Sequence, residues 1–223
     1  MGSLWQGLIN ILRDILFFFH NNIVSDFGMA IVLLTVLVRV VILPLTIKQT
    51  KSMYEMQKLQ PKLRALQEKY KDNKEKLQQE MMKFYAENKV NPFGGCLPLI
   101  LQLPIFFALF RMLITTKELV SATSFFGIFV LGMTPGKALG AGVGTFIPYL
   151  LLILLLAVTT YLPQKMMTSD PQQQKMGLYM TPLMVFIGWT LPAGALIYWV
   201  TTNLWTMAQQ YVMLKIAKPA EVS

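Results

Sequence analysis

Long, continuous runs of apolar residues dominate the chain and are separated by short polar breaks. These runs lack the alternation of a half-exposed strand, and a helix needs about 20 apolar residues to cross the hydrocarbon of a bilayer. The pattern predicts an all-α polytopic membrane protein with five transmembrane helices, at 27–47, 94–114, 146–163, 177–190 and 193–214. The fourth is short, so we expect flanking residues to extend it. The stretch LPAG at 191–194 predicts a tight turn between the last two helices.

An amphipathic segment precedes the first predicted span. Six apolar residues share one face of a helix there: Leu4, Leu8, Ile11, Leu12, Ile15 and Phe19. Asn10, Arg13 and Asp14 interrupt the rest of the segment. Residues 1–26 are therefore predicted to form an N-terminal amphipathic helix that lies in the membrane interface. A short sixth span is the alternative, and the charges within the segment disfavour it.

One long hydrophilic segment, 48–92, follows the first span. Its apolar residues recur at three- and four-residue steps on both sides of the polar stretch KDNK at 71–74. This spacing predicts two amphipathic helices joined by a turn, which is an antiparallel coiled-coil hairpin. Pro61 lies inside the first helix and is expected to kink it. The mixed charges of the hairpin fit either a solvated surface or a docking surface for a partner.

The distribution of charge predicts an orientation in the membrane. The chain is 54% hydrophobic and 14% charged, which excludes an ordinary soluble domain, and its net charge is +9. Lys and Arg concentrate in the hairpin, in the loop after the third span and in the short tail at 215–223. Under the positive-inside rule, these segments are cytoplasmic and the N-terminus is outside. The basic charge is thus mainly topological and predicts no direct specificity for nucleic acid.

Arg39 is the one charged residue inside the first predicted span, and no acidic residue lies within a turn or two of it. A charge at the centre of a spanning helix costs about 2.5–3.5 kcal/mol on insertion scales, so it requires water or polar groups around it. Polar and aromatic side chains on the predicted spans complete a candidate groove with Arg39: Thr35, Gln102, Gln164, Tyr198, Trp199, Asn203, Thr206, Gln209 and Gln210.

Four residues of the fifth predicted span fall on one helical stripe: Trp199, Asn203, Thr206 and Gln210. Together with Arg39, this stripe favours a hydrated cavity that reaches into the inner leaflet. Hydrogen bonds that simply join the helices are the alternative interpretation for each polar residue.

Few residues in the chain are suited to catalysis or metal binding. The predicted spans contain no interior Asp or Glu, and His20, the single histidine, lies outside them. Cys96 is the single cysteine, and we interpret it as a small packing residue. We therefore expect no enzyme activity, metal or cofactor. The absence of intramembrane carboxylates, internal repeats and charged filters also disfavours a transporter or channel.

Several segments, in this order, resemble the bacterial YidC branch of the YidC/Oxa/Alb family of membrane protein insertases: LVRVVILPLTIKQTKSM, LQPKLRALQEKY, QQEMMKFYAENKVNPFGGCLPLILQLPIFFALFRML, SDPQQQKM and LPAGALIYWVTTNLWTMAQQ. The resemblance covers about residues 27–214, whereas the Gly-rich outer loop at 121–144 departs from it. It implies a five-helix core in the bacterial cytoplasmic membrane that inserts nascent membrane proteins into the lipid bilayer, alone or with the Sec translocon. It identifies Arg39 with the arginine of a hydrophilic groove that is open to the cytoplasm.

The resemblance also implies a role for each part of the chain. The interfacial helix (1–26) precedes the first span (27–47), and residues 93–214 complete the core. The hairpin (48–92) is expected to interact with targeting factors and the Sec translocon. Because the tail at 215–223 is short, contact with ribosomes is expected to be weak. Many bacterial members carry an upstream span and a large periplasmic domain, so we expect this sequence to be part of a longer protein. An assembly chaperone without autonomous insertion and a small-solute channel are the alternative functions.

Overall fold

The computed structural model describes residues 2–88, 97–167 and 171–217, and most of these residues are helical. The elements in chain order are α1 (Gly2–Asn22), α2 (Phe27–Val41), α3 (Leu43–Lys69), α4 (Lys74–Glu87), α5 (Leu97–Thr115), α6 (Lys117–Ser121), β1 (Thr123–Ser124), β2 (Phe129–Val130), α7 (Pro135–Ala141), α8 (Val143–Met167), α9 (Pro171–Thr190) and α10 (Ala193–Ala217). The helical class is confirmed. The antiparallel pair of two-residue strands was not predicted.

Parts of four predictions lie outside the described residues. These are Cys96, residues 94–96 of the second predicted span, residues 89–92 of the hairpin and residues 218–223 of the tail. The turn predicted at LPAG is confirmed, because α9 ends at Thr190 and α10 begins at Ala193. The helix at the fourth predicted span begins before Gly177, as expected, since α9 starts at Pro171, while its role as a membrane span remains a prediction.

The first predicted span is broken where the sequence predicted a continuous helix. α2 ends at Val41, α3 begins at Leu43, and the two helices are bent by 64° at this break. Pro44 stands in the first turn of α3, where a proline is tolerated. Its missing N–H cannot bond to the carbonyl group of Val40, so the hydrogen-bond ladder of α2 stops there. By contrast, α3 continues as helix through Pro61.

The described residues contain one helix that is long and apolar enough to cross a membrane alone, at Val143–Gln164. The bent pair Phe27–Val41 and Leu43–Ser52 passes the same length and hydropathy criteria only when both parts are taken together. The apolar stretches Gln102–Thr115 and Leu178–Thr190 are shorter than a full span. Length and composition thus support one or two spans, and the number five remains a prediction.

α10 is the central helix of the bundle and packs against α2, α5 and α8. Its first six residues are all buried. Gly194 permits the approach of α5, since a Cβ atom at that position would lie 2.9 Å from Leu113 Cδ2. α9 packs against α7 and α8 at the side of the bundle. This arrangement places the side chains of α10 between three neighbouring helices.

α1 packs against α2 and α5 through a face that differs from the predicted one. Ile9, Leu12 and Leu16 are buried in the main core, although Ile9 and Leu16 were not on the predicted face. Leu4 and Ile11, which were predicted to share that face, are exposed. The difference arises because the buried face of α1 is set by its contact with the bundle. Its interfacial location remains a prediction.

α3 and α4 form the two arms of a hairpin, and the turn lies at the predicted KDNK stretch. Asn73 caps α4, because its side chain accepts a hydrogen bond of 3.0 Å from the backbone N–H of Lys76. α4 has no buried residue. Leu63 of α3 is buried. The helical hairpin is thus present, while a coiled-coil seam between its arms remains a prediction.

Residues 117–142, which we call the cap, cover the first turns of α2 and α10. The backbone N–H of Gly194 donates to the carbonyl of Leu131 at 3.0 Å. The carboxylate of Asp26 caps α2 by accepting from Met29 N at 2.9 Å and also accepts from Phe125 N at 2.7 Å. The cap therefore fixes the starts of α2 and α10 relative to each other, at the end of the bundle opposite the hairpin.

Candidate functional site

Arg39 lies in the last turn of α2 and is only 8% exposed. Thr35, one turn earlier on the same face, is also buried, and its hydroxyl donates to the carbonyl of Ile31 at 2.7 Å. Among the described residues, no acidic side chain forms an ion pair with Arg39. The bundle thus contains a buried guanidinium that no carboxylate of the described residues neutralises.

Tyr198 is a buried polar side chain near Arg39. It lies on α10, is 2% exposed, and interacts electrostatically with the guanidinium of Arg39. Gln102 of α5 donates a hydrogen bond from Nε2 to the Tyr198 hydroxyl. Arg39, Tyr198 and Gln102 therefore bring polar groups from three helices together, and this innermost cluster was predicted from the sequence without its pairings.

Asn203 joins α10 to α8. Its Nδ2 donates to Thr160 Oγ1 at 3.0 Å and to Thr159 Oγ1 at 3.4 Å. The Thr159 hydroxyl itself donates to the carbonyl of Leu155 at 2.8 Å. These contacts satisfy the side chains between the helices, so Asn203 behaves as a hydrogen-bonded link.

Gln209 joins α10 to the first turns of α3. Its Nε2 donates to Thr46 Oγ1 at 3.1 Å. The start of α3 is thereby held against the bundle, although it lies beyond the break that follows α2. Gln209 is about 16 Å further along the helix than Tyr198, at 1.5 Å per residue. The polar residues thus extend from Arg39 toward the hairpin end of the bundle.

Four further side chains near that end have buried polar atoms without a hydrogen-bond partner in the described part of the chain. They are Gln49 at both amide atoms, Gln164 and Gln210 at Oε1, and Trp205 at Nε1. Buried polar groups in folded proteins nearly always have partners, and each unsatisfied group costs about 1–3 kcal/mol. Groups of this kind on α3, α8 and α10 are candidates for hydrogen bonds to water or to a polar guest.

We call the set of polar side chains from Arg39, Tyr198 and Gln102 to Gln49, Gln164 and Gln210 the polar groove, after the groove that the sequence predicts; its hydration remains a prediction. An apolar layer separates it from the cap. This layer consists of fully buried side chains of four helices: Ile31, Leu34, Leu109, Met112, Leu156 and Leu196. In the described residues, this layer lies on the cap side of the polar side chains, and we call it the apolar floor.

Two predicted groove residues have other surroundings. Trp199 packs edge-on against Phe106 of α5, with ring centroids 5.6 Å apart. Thr206 donates to the carbonyl of Thr202 in its own helix, at 2.9 Å. The predicted stripe of α10 is thus divided: Trp199 faces α5, whereas Asn203 faces α8. The division follows from the central position of α10, where one helical face meets two neighbours.

Gln49 and Trp205 were missed by the prediction. Gln49 lies three residues after Thr46, which places both on one face of α3. That signal was present in the sequence, but the predicted span ended at Ile47 and assigned Gln49 to the hairpin. Trp205 gave no signal, because an apolar helix in a membrane protein commonly carries tryptophan.

Comparison with known proteins gives consistent results across the chain. Residues 18–220 match the family described as 60Kd inner membrane protein. A protein of Geobacter sulfurreducens named Membrane protein insertase YidC is 40% identical over 206 residues, which is 92% of this chain and 36% of that protein. A protein of the same name from Francisella tularensis subsp. novicida is 35% identical over 218 residues, which is 96% of this chain and 37% of that protein.

The chain therefore spans a little over a third of the length of these curated relatives. A crystal structure described as "Active YidC insertase crystal structure with the first transmembrane domain resolved" shares the fold, with a TM-score of 0.71 and 32% identity. The similarity covers 94% of this chain and 46% of that one. The family match over most of the sequence, the identity to the relatives and the shared fold show that this chain belongs to the 60Kd inner membrane protein family.

Proposed function

We propose that this chain is the core of a membrane protein insertase of the bacterial cytoplasmic membrane. In this proposal the polar groove receives the hydrophilic flank of a nascent membrane protein, and the apolar segment of the substrate leaves into the lipid bilayer. The observation that carries the proposal is the buried Arg39, which has Tyr198 beside it and no acidic partner among the described residues.

The groove would act by shortening the apolar region that the flank of the substrate has to cross. A charged flank that crosses the full hydrocarbon region meets a cost of several kcal/mol per charge. Water and polar side chains that extend from the hairpin end to Arg39 would let the flank enter part of the way before it leaves polar surroundings. An acidic flank would gain a direct attraction as well, because the charge of Arg39 is not neutralised by a neighbouring acid.

The proposed topology has five spans, with the N-terminus outside and the hairpin and C-terminus in the cytoplasm. The concentration of Lys and Arg in the hairpin supports this orientation. The polar groove lies toward the hairpin end of the bundle, so in this orientation it opens to the cytoplasm. The cap would then lie on the outer side, above the apolar floor of the groove.

The two alternatives make different demands on the same structure. A channel requires a polar path through the bundle, and the buried layer that includes Leu34, Leu109 and Met112 disfavours one within the described residues. An assembly chaperone requires a surface that holds substrates without moving their flanks across the membrane. The groove fits both insertion and holding, so a functional assay must separate them.

Reconstitution tests the proposed function. We expect purified protein in liposomes to insert a short, single-spanning substrate with an acidic flank several-fold above empty liposomes, with the flank protected from external protease. Liposomes that contain the Arg39→Met protein are the matched control. Substrate that is bound while its flank stays accessible to protease would support the chaperone alternative. Leakage of ions from the vesicles would support the channel.

We further propose that the hairpin (48–92) docks targeting factors and the Sec translocon. Its exposed, mixed-charge surface supports this role, because such surfaces favour electrostatic encounter with partners. Any contact with ribosomes through the short tail would be weak.

A deletion tests the role of the hairpin. Replacing residues 56–83 by a short Gly-Ser linker keeps the contact between Thr46 and Gln209 and removes mostly exposed residues. We expect the bundle to stay folded and to insert substrates in partner-free liposomes at nearly the normal rate, while insertion in cells falls several-fold. The Leu63→Ala variant is the control for lost packing. Normal insertion in cells would contradict a docking role.

A further inference from the structure

A cleft of about 590 Å³ lies between α1 and the junction of α5 with α6, away from the polar groove. Its rim carries charges of both signs: Arg13 and Asp14 come from α1, while Lys117 and Glu118 come from the first turn of α6. Arg13 and Asp14 approach to 3.4 Å, and their side chains are 46% and 71% exposed. An exposed pair of this kind contributes little to stability, so its groups are free to rearrange around a ligand.

A second cleft, of about 500 Å³, continues the first one, since Gln6 and Ile9 line both. The remaining lining residues of the second cleft are aromatic or aliphatic, apart from one arginine: Trp5, Phe107, Phe110, Arg111 and Ile114. Phe107 is 52% exposed and Ile114 is 45% exposed. The two clefts together form an amphipathic trough with a charged end and an apolar wall.

We propose that this trough binds one zwitterionic phospholipid whose headgroup carries a primary ammonium, as phosphatidylethanolamine does. Arg13, Arg111 and Lys117 would hold the phosphate, since charge-assisted bonds from guanidinium and ammonium groups are the strong ones. Asp14 and Glu118 would accept hydrogen bonds from the headgroup ammonium. An acyl chain would lie against Phe107 and Ile114. The proposal rests on the trough and does not depend on the insertase activity.

The charges of the rim select among headgroups. A primary ammonium donates up to three hydrogen bonds, whereas the trimethylated ammonium of phosphatidylcholine donates none. The headgroup of phosphatidylglycerol keeps the phosphate but offers no cation to Asp14 and Glu118. Of these three lipids, phosphatidylethanolamine alone brings to the rim both a phosphate and a cation that donates hydrogen bonds to carboxylates, while any phospholipid can use the apolar wall.

The position of the trough suggests which leaflet supplies the lipid. Thr115 and Thr116 line the first cleft, at the end of α5 where the chain enters the cap. In the proposed topology this end of the bundle faces the outer leaflet. A lipid bound there would fill the space between α1 and α5 and would fix α1 against the bundle.

The experiment compares lipids that share their acyl chains. Purified full chain in detergent is mixed with phosphatidylethanolamine, phosphatidylcholine or phosphatidylglycerol. Thermal unfolding and native mass spectrometry then report stabilisation and retained lipid. We expect the largest rise in melting temperature, and one retained molecule, with phosphatidylethanolamine. Equal effects of the three lipids, or no retained lipid, would overturn the proposal.

Two variants make the test specific. The double variant Asp14→Asn, Glu118→Gln changes only exposed carboxylates, and we expect it to fold and to lose the advantage of phosphatidylethanolamine over phosphatidylcholine. Glu75→Gln in the hairpin, also exposed, is the matched control and should keep that advantage. An equal loss in both variants would contradict the site. Soluble glycerophosphoethanolamine should give no shift; a shift as large as that of the lipid would show a headgroup site without an acyl chain.

Discussion

The Arg39→Met variant is expected to lose most insertion of substrates with acidic flanks and to remain at least as stable as the unmodified chain. Methionine keeps much of the aliphatic length of arginine but removes the charge. Among the described residues, no carboxylate is paired with Arg39, so the change leaves no acidic side chain without its partner. The substitution therefore removes a desolvated cation from the fold without creating a second buried charge.

The size of the functional loss follows from the attraction that is removed. A unit charge about 6 Å from the guanidinium, at an effective dielectric constant of about 20, interacts by about 3 kcal/mol. Water in the proposed groove would reduce this value, so we expect a loss of about 1–3 kcal/mol, which is a factor of about 5–150 in the insertion rate. The melting temperature should stay unchanged or rise by a few degrees, since about 1 kcal/mol corresponds to about 2–4 °C in a chain of this size.

Two comparisons show whether the lost charge of Arg39 causes the loss of insertion. The Arg39→Lys variant keeps the charge and should retain most activity, although lysine lacks the planar fork of arginine. Substrates with basic flanks should be much less sensitive to Arg39→Met than substrates with acidic flanks. A fall of about 10 °C in melting temperature for both variants would instead identify Arg39 as a structural residue that holds α2 to α10. Equal losses for acidic and basic flanks would exclude the electrostatic role.

The fold was predictable where a local pattern determines it. The turn at LPAG, the two arms of the hairpin and the extension of α9 all follow from apolar periodicity and helix-breaking residues. The break between α2 and α3 was missed because a proline inside an apolar run is compatible with either a kinked span or two helices. The face of α1 that is buried was missed for a different reason, since its packing partners lie on α2 and α5.

The residue types of the site were predictable, but their pairings were not. Arg39 and the polar residues of α10 stand out in an apolar sequence, whereas the link from Tyr198 to Gln102 depends on how α5 crosses α10. Hydrogen bonds between helices support the link interpretation for two of the polar residues, while hydration of the others remains a prediction. Asn203 and Gln209 have partners on neighbouring helices. Gln164 and Gln210 have buried oxygens without partners in the described residues.

Side chains of the groove that have hydrogen-bond partners and those that lack them are expected to differ in their access to water. In a Cys96→Ser background, single cysteines replace Gln49, Gln164, Gln210 and Asn203, one at a time. Maleimides react with the thiolate, so reaction requires water around the sulfur. We expect an impermeant maleimide added from the hairpin side to label the first three positions rapidly. Asn203→Cys should react more slowly, because its site lies against Thr159 and Thr160.

The control cysteines lie in two environments without water, the lipid-facing surface and the protein core. Leu151 and Val158 of α8 are exposed apolar residues, so cysteines there would face lipid in the proposed topology, whereas Leu152 is buried in the core. A thiol whose pKa is raised by one unit in an apolar environment has about tenfold less thiolate, so we expect the controls to react at least about tenfold more slowly than the groove positions. The ratio of rates, measured on intact and inverted vesicles, is the result that matters.

The side of the membrane from which the cysteines are labelled distinguishes a closed groove from a channel. Reaction from the hairpin side alone agrees with a groove that ends at the layer of Leu34, Leu109 and Met112. Equal reaction from both sides would show a polar path through that layer and would favour the channel. If Gln49, Gln164 and Gln210 positions react as slowly as the Leu152 control, their buried oxygens and amides are dry, and a hydrated entrance for substrate flanks does not exist. Because that outcome leaves Arg39 without water, it would also remove the basis for expecting acidic flanks to reach the guanidinium.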